Sequence, residues 1–183
     1  MERPHDYELI TKLDITYRNL TKLLSWVSEC KKLEILNCSN NNIRQLNNLP
    51  TTLKKLYCQY NQITQLDNLP PTLKILDCTN NKITELNNLP SAVTLLSCQY
   101  NQIIHLDNLP PTLKILRCGY NQIINLDNLP ITLEILYCYS NQITEIHNLP
   151  ETLTTLYYYD NPLNCEFIKL LENITNKNYN NIY

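Results

Sequence analysis

Glycine is nearly missing from this sequence, since Gly119 is the only one in 183 residues. One glycine cannot make a Gly-rich loop that cradles phosphate groups, which excludes the common nucleotide-binding motifs. Turns must then be built by other residues, and asparagine tolerates left-handed backbone better than most. We therefore expect asparagine to supply most of the turn chemistry.

Basic charge and long apolar runs are also lacking. The formal net charge is -2 and the sequence pI is about 5.9. Because non-specific affinity for nucleic acid comes largely from neutralising phosphates, we predict no nucleic-acid partner. The N-terminal segment Met1–Glu8 is polar, and no run reaches the length of a membrane-spanning helix. We expect a cytoplasmic protein that is not secreted and has no membrane partner.

What the sequence does contain is a repeat of 20 residues, seen most clearly in Leu113–Ile123 and the following Leu126–Pro130. Each of seven units has an opening apolar residue and a leucine three positions later, and the first six have a cysteine two positions after that, where the last has Tyr158. The leucines are Leu36, Leu56, Leu76, Leu96, Leu116, Leu136 and Leu156, and the cysteines are Cys38, Cys58, Cys78, Cys98, Cys118 and Cys138. Because strand side chains alternate, each leucine and its cysteine share a face. We predict one short strand per repeat, stacked into a parallel sheet.

Two further rows define the turns. An asparagine follows each strand, at Asn41, Asn61, Asn81, Asn101, Asn121, Asn141 and Asn161. Stacked side chains of this row are predicted to satisfy polar backbone groups at the turn. Leu-Pro recurs in the return segment, from Leu49-Pro50 to Leu149-Pro150, and proline disfavours helix there. We predict an extended, polyproline-like return segment.

The repeat pattern divides the chain into three parts. Residues 1–32 form an N-terminal cap with a degenerate first repeat, and the apolar spacing in Leu20–Cys30 predicts a short helix. Residues 33–163 are the regular repeats. Residues 164–183 are predicted to form a helical C-terminal cap and a frayed tail, with apolar residues spaced for one helical face at Leu163, Phe167, Leu170, Leu171 and Ile174.

The pattern LxxLxCxxNxIxxLxNLPxT, as in Leu113–Thr132, resembles the leucine-rich repeat family. Its 20-residue length and the Leu-Pro of its return segment resemble the short repeats of bacterial effectors. Its Asn- and Ile-rich composition resembles that of leucine-rich repeat proteins of giant DNA viruses of amoebae. The resemblance implies an α/β-type horseshoe solenoid with a concave parallel sheet, an extended convex side and short helices at the caps. It also implies protein recognition on the concave face, and host-cell cytoplasm if the chain is viral.

No constellation of residues points to catalysis, a cofactor or a metal. The row of cysteines is linear, whereas zinc needs four ligands that converge tetrahedrally, so we interpret these thiols as small buried hydrophobic groups. Cys165 resembles the start of an extracellular C-terminal cap, but no second cap cysteine follows, which favours a reducing compartment. The polar turn row from Asn47 to His147 has two interpretations, solvated turns or a weak cation site. We predict that the protein is not an enzyme.

The outward strand positions are the candidate binding surface. They carry an apolar row, many tyrosines and one arginine, on a face that alternation places away from the core. The candidate residues are Ile75, Leu95, Ile115, Ile135, Tyr57, Arg117, Tyr137, Tyr139, Tyr157, Tyr159, Tyr100 and Tyr120. Exposed apolar patches mark interaction sites and tyrosine is favoured at binding hot spots. The alternative interpretation is that isoleucine favours strands and that tyrosine reflects composition bias.

These observations lead to a non-enzymatic module that binds a host or viral protein on its concave face. The alternative hypothesis is a structural protein that forms a homodimer through the same apolar face. A third, an effector fragment resembling bacterial ubiquitin ligases, is disfavoured because such proteins need a separate catalytic domain. Only about twenty residues follow the repeats here.

Overall fold

A computed structural model describes residues 3–164 of the chain. It contains eight three-residue strands, which all lie in one parallel sheet in chain order. The strands are β1 Lys12–Asp14, β2 Ile35–Asn37, β3 Lys55–Tyr57, β4 Ile75–Asp77, β5 Leu95–Ser97, β6 Ile115–Arg117, β7 Ile135–Tyr137 and β8 Thr155–Tyr157. A solenoid with one strand per repeat is therefore confirmed.

The central residue of every strand is a leucine, and these leucines are paired in register across the whole sheet. Leu13 pairs with Leu36, Leu36 with Leu56, and the same step continues to Leu156. The leucines of β2 to β8 are fully buried. Because a shift by one residue would turn this whole row to solvent, the 20-residue spacing of the leucines fixes the register.

The core is built from the other apolar rows of the repeat. The six cysteines from Cys38 to Cys138 are fully buried, as are the isoleucines from Ile43 to Ile143. The return segments contain turns and no helix between residues 31 and 164, and their leucines pack against the core. Each repeat thus buries its apolar side only against its neighbours, as in other solenoids.

The asparagine row forms the ladder that its spacing predicts. In the middle of the array, Asn101 donates its side-chain amide to the carbonyl oxygens of Cys78 at 3.1 Å and Cys98 at 3.0 Å. Its Oδ1 accepts the backbone N–H of Ile83 at 2.9 Å. Each such asparagine ties its own turn to the preceding repeat. These side-chain hydrogen bonds satisfy buried backbone N–H and C=O groups at the turns, which would otherwise lack partners.

A second polar ladder was not predicted. The threonine before each repeat-opening residue donates its hydroxyl to the carbonyl oxygen of the preceding repeat, as Thr112 does to Val93 at 3.0 Å. Thr52, Thr72, Thr132 and Thr152 repeat the contact one unit apart. Ala92 interrupts the row. The recurrence of threonine at this position was the available signal.

The N-terminal cap differs in part from its prediction. The degenerate first repeat is present, because β1 pairs with β2 and Ile15 is fully buried. The helix is shorter than predicted and is a 3-10 helix, Ser25–Glu29. At Leu20 the backbone is instead bonded to the next repeat, because its N–H is bound by Asn41 Oδ1 at 2.9 Å and its carbonyl accepts the N–H of Asn42 at 2.7 Å.

Two further points concern helices. The predicted C-terminal helix falls in 165–183 and lies outside the described residues. Within residues 3–164, no helix has the length and apolar character needed to cross a bilayer.

Candidate protein-binding surface

The outward side of the sheet, called the concave face below, presents three rows of side chains. The first, called the apolar row, begins at Ile35 and contains the predicted residues Ile75, Leu95, Ile115 and Ile135. All of these are half-buried and in register from strand to strand. The pairing across strands gives a continuous apolar strip on β4 to β7.

The second row, called the middle row, carries charges of both signs near its centre, whereas the apolar row is interrupted by Lys55 of β3. Asp77 on β4, Ser97 on β5 and Arg117 on β6 are consecutive register partners. Ser97 is almost completely buried, whereas the Arg117 side chain is exposed and its guanidinium carbon lies 5.6 Å from the centre of the Tyr137 ring. The distance is within the range of a cation–π contact.

The third row and the residue after it hold most of the aromatic rings. Tyr100 stacks on Tyr120 with ring centres 4.2 Å apart, and Tyr120 meets Tyr139 edge-on at 5.4 Å. Tyr139 in turn stacks on Tyr159 at 4.8 Å. These four residues are called the tyrosine cluster. Beside it, Tyr137 and Tyr157 of the middle row form a separate stack at 4.6 Å.

The single glycine of the chain makes this arrangement possible. A Cβ atom at position 119 would lie only 2.7 Å from Cε2 of Tyr139, far inside van der Waals contact. Because Gly119 has no side chain, the ring of Tyr139 lies against the backbone of Gly119, two residues after the end of β6. From there its hydroxyl accepts a hydrogen bond from Gln99 Nε2 at 2.8 Å, two repeats away.

Three tyrosines occupy backbone positions that disfavour them. Tyr60, Tyr100 and Tyr120 have φ of 56°, 54° and 53°, a left-handed conformation in which bulky residues are rare. The equivalent positions in two other repeats are Asn40 and Asn80, with φ of 55° for both. Tyr100 and Tyr120 are therefore held in strained backbone where two rings stack.

Desolvation beside neighbouring rings affects the phenols of the cluster. It raises the pKa of Tyr100, with Tyr120 as a further cause, and it raises the pKa of Tyr159. Both hydroxyls therefore stay protonated at neutral pH and act as hydrogen-bond donors and acceptors.

The structure brings most of the predicted site residues together. Tyr100, Tyr120, Tyr139 and Tyr159 form one cluster, with the Tyr137–Tyr157 stack and Arg117 alongside. Tyr57 lies apart, because its partners across the sheet are Asn37 and Asp77. Sequence reasoning missed Gln99 and Gly119 as parts of the site. The available signal in the sequence was that the only glycine, Gly119, occupies the same repeat position as Tyr139 one unit later.

The buried cysteine row has no access to the concave face. Burial raises the pKa of Cys38 and Cys138 to about 12, and it also raises the pKa of the four thiols between them well above the usual value. Protonated thiols are poor nucleophiles and poor metal ligands. The arrangement gives these groups a packing role, as predicted from their period.

The remaining polar groups lie at exposed turns. In the row from Asn47 to His147, side chains pair with residues two positions earlier, such as Asn87 with Glu85 at 2.6 Å and His147 with Glu145 at 2.8 Å. In the part of the chain that the structure describes, no group of three or more His, Cys, Asp or Glu is placed to hold a metal ion. The contacts agree with solvated turns.

The repeats match a family model described as leucine-rich repeats, two copies, over residues 51–91. The solved structure of a Shigella effector leucine-rich repeat domain is 29% identical and covers 93% of this chain and 78% of its own, with a TM-score of 0.77. The chain has the leucine-rich repeat fold. No curated protein sequence matches it.

Two other solved structures with a similar fold come from bacteria. YopM, an effector of Yersinia pestis, is 31% identical with a TM-score of 0.80; the match covers 85% of this chain and 44% of YopM. The functional domain of InlJ from Listeria monocytogenes, which includes a cysteine ladder, is 26% identical with a TM-score of 0.59 and coverages of 86% and 46%. The chain thus spans less than half the length of YopM or InlJ. The resemblance to giant-virus proteins and the cytoplasmic location stay predictions.

Proposed function

We propose that this leucine-rich repeat protein is a non-enzymatic module that binds a partner protein on its concave face. The observation that carries the proposal is the tyrosine cluster beside the apolar strip of β4 to β7. Tyr100 and Tyr120 are 48% and 42% exposed although each is stacked on the other. Exposed aromatic area of this kind is typical of binding hot spots.

The rigidity of the cluster supports the same proposal. Stacked rings, the Gln99–Tyr139 hydrogen bond and the missing side chain at Gly119 hold the tyrosines in one arrangement before any partner arrives. A surface that is ordered in advance loses less side-chain entropy on binding. The residue type at positions 100 and 120 supports the same proposal, because the turn requires left-handed backbone there and asparagine would suit it better than tyrosine, so the two rings are kept at a cost in stability.

The relatives support the class of function and not the partner. The Shigella domain belongs to an effector, and YopM is an effector protein of Yersinia pestis. By analogy with such proteins, and from the predicted viral resemblance, we propose a host or viral protein as partner. The balanced charge and pI near 5.9 disfavour nucleic acid as an alternative ligand.

The test is affinity capture from host-cell lysate with immobilised wild type, Ile115→Asp and Tyr137→Ala, followed by mass spectrometry. A carboxylate in the apolar strip disfavours an apolar partner surface, and the alanine removes one ring of the Tyr137–Tyr157 stack. We expect both variants to lose at least about tenfold in affinity for any captured protein, on the order of 1.4 kcal/mol. Circular dichroism and thermal melts check that each variant is folded.

The matched control is Ile131→Asp. Ile131 lies in a return segment with 82% of its surface exposed, so the same substitution is made outside the concave face. It should leave capture unchanged. If folded Ile115→Asp and Tyr137→Ala retain every protein that wild type and Ile131→Asp retain, the concave face is not the binding site.

A further inference from the structure

Of the ring pairs in the described residues, Tyr100 and Tyr120 are the closest. Their ring centres are 4.2 Å apart and their planes are inclined by 13°, so the rings are stacked face to face. Both side chains leave equivalent left-handed positions of neighbouring repeats and therefore point in the same direction. Tyr120 is also one cause of the raised pKa of Tyr100, so the two phenol groups lie side by side. The ortho carbons beside each hydroxyl thus face each other across the stack.

This geometry suits one reaction of tyrosine, the coupling of two phenoxyl radicals to dityrosine. An oxidant removes one electron and one proton from each phenol, and the unpaired spin spreads to the ortho carbons. The half-filled orbital at such a carbon is perpendicular to its ring, so in a face-to-face stack it points at the neighbouring ring. A carbon–carbon bond forms between two ortho positions. Each of these carbons then gives its hydrogen to its own ring oxygen, and both rings become aromatic again.

The reaction balances with hydrogen peroxide as the oxidant and a haem peroxidase to activate it. The peroxide accepts the two electrons and two protons that the phenols lose, and it leaves as two molecules of water. The protein loses two hydrogen atoms and gains one carbon–carbon bond, and both hydroxyls are retained. The oxidant can reach both phenols, because Tyr100 and Tyr120 are 48% and 42% exposed.

Other oxidisable groups of the described residues are either shielded or isolated. The ring of Trp26 is buried, and the six core thiols are fully buried and held protonated. Tyr17 and Tyr60 are exposed, but neither stacks on another ring in the described part of the chain. Radicals at Tyr17 or Tyr60 can therefore couple only after two molecules meet.

The remaining ring pairs are less suited to coupling. Tyr120 meets Tyr139 edge-on, with 88° between the ring planes, so the reacting orbitals are perpendicular to each other. The Tyr137–Tyr157 and Tyr139–Tyr159 pairs are stacked, but their ring centres are 4.6 Å and 4.8 Å apart. These four side chains are also half-buried, whereas Tyr100 and Tyr120 are exposed. Distance, orientation and access thus all favour the Tyr100–Tyr120 pair.

We propose that Tyr100 and Tyr120 are an oxidative modification site, at which hydrogen peroxide and a peroxidase join the two rings as dityrosine within one molecule. The site goes beyond the proposed function, because the reaction needs no partner protein. The product links two neighbouring repeats covalently. It also alters the concave face, because the new bond turns the two rings out of their stack.

The test is treatment of the purified, dilute protein with a haem peroxidase and hydrogen peroxide. The expected product is a monomer on a denaturing gel, with the fluorescence of dityrosine and a mass lower by two hydrogen atoms. Proteolysis and tandem mass spectrometry should place the link between Tyr100 and Tyr120. Tyr120→Phe keeps a ring in the stack but has no phenol to oxidise. It should lower the dityrosine fluorescence of the monomer at least about tenfold, because the remaining phenols lack this proximity and orientation.

Tyr60→Phe is the matched control. It removes an exposed phenol from the same repeat position, but one that stacks on no described ring, so the yield of monomeric product should be unchanged. In a Tyr120→Phe background, Asn80→Tyr adds a phenol beside Tyr100 on its other side, at a position with the same left-handed backbone. This second change should restore a link, now between positions 80 and 100.

Several results would overturn the modification site. They are the absence of dityrosine from the monomer, links that form only between molecules, and an unchanged yield in Tyr120→Phe. Failure of Asn80→Tyr to restore a link would show that stacking at this position does not govern coupling.

The modification site and the proposed function can fail separately, because cross-linking is measured on the purified chain and capture is measured in lysate. A partner captured by a chain that forms no monomeric dityrosine supports the proposed function and contradicts the modification site. A specific Tyr100–Tyr120 link in a chain that captures nothing has the opposite meaning. If both are found, the cross-linked chain should capture less of the partner than the untreated chain.

Discussion

At the scale of single residues, the position before each asparagine of the Asn41-to-Asn161 row has two requirements. The turn favours a residue that tolerates left-handed backbone, whereas the concave face favours an exposed ring. The backbone at this position is left-handed in every regular repeat, and the position is occupied by Asn40, Tyr60, Asn80, Tyr100, Tyr120, Ser140 and Asp160. Asparagine and aspartate suit such backbone, whereas a bulky ring does not. Tyrosine at this position therefore lowers stability unless its ring gains contacts elsewhere.

Comparison of Tyr60→Asn with Tyr120→Asn tests that balance. Tyr60 is 53% exposed and is in none of the ring stacks of the described chain, so its replacement should relieve strain and raise the free energy of unfolding by about 0.5–1 kcal/mol. Tyr120→Asn relieves the same strain but loses two ring contacts, each about 0.5–1.5 kcal/mol, and should be neutral or destabilising. Urea unfolding measures both. Equal effects of the two substitutions would mean that the ring contacts contribute nothing.

At the scale of the element, each strand of β2 to β7 is followed by a cysteine that stacks on its equivalents. The row crosses the core, and desolvation raises the pKa of every thiol in it. In the unfolded chain the same thiols ionise near pH 8.5. The folded state therefore binds more protons than the unfolded state above that pH, so the stability of the fold is complete below it and falls as pH rises.

The pH dependence gives a quantitative prediction. Between about pH 9 and the folded pKa of about 12 for Cys38 and Cys138, each buried thiol should lower the free energy of unfolding by about 1.4 kcal/mol per pH unit. Six thiols together give a slope of about 8 kcal/mol per pH unit, so unfolding in alkali should be steep. Denaturant unfolding at about pH 9.5, 10 and 10.5 measures the slope of the free energy of unfolding against pH.

Cys98→Ala is the matched control for this slope. At pH 7 it should be destabilised by a constant amount, because the smaller side chain leaves a cavity in the core. Above pH 9 its slope should be shallower than that of wild type by about 1.4 kcal/mol per pH unit. An unchanged slope would show that the thiol is not protected in the folded state.

At the scale of the whole molecule, the strands contact only their neighbours in the chain. The asparagine and threonine ladders likewise join each repeat to the preceding one. Stability should therefore be close to a sum of repeat and nearest-neighbour terms. A whole repeat is then a removable unit, provided that the period is kept.

Deletion of residues 61–80 tests this modularity. It joins Tyr60 to Asn81 and preserves the order of strand, asparagine and Leu-Pro, while the tyrosine cluster lies wholly in later repeats. We expect a cooperative fold with unchanged circular dichroism per residue and a lower free energy of unfolding. Deletion of residues 61–70 removes half a repeat and should unfold the chain. If both deletions behave alike, the fold does not depend on the period.

Much of this molecule is determined by its sequence. The 20-residue period predicted the number of strands, their parallel order and their register. It also predicted the burial of Leu36 and Cys38 with their equivalents, because residues 20 apart stack on one another in neighbouring repeats. The asparagine ladder followed from the lack of glycine. The candidate surface followed from alternation along each strand, which decides which side chains face outward.

Tertiary structure decided what those outward side chains do. The cluster depends on contacts between residues 20 and 40 apart, such as Gln99 with Tyr139, and on the space left by Gly119. Such contacts depend on side-chain rotamers and on the spacing of strands, neither of which a repeat pattern specifies. The end of the array was also decided in three dimensions, because Leu20 is held by the Asn41 and Asn42 turn and not by its own helical pattern.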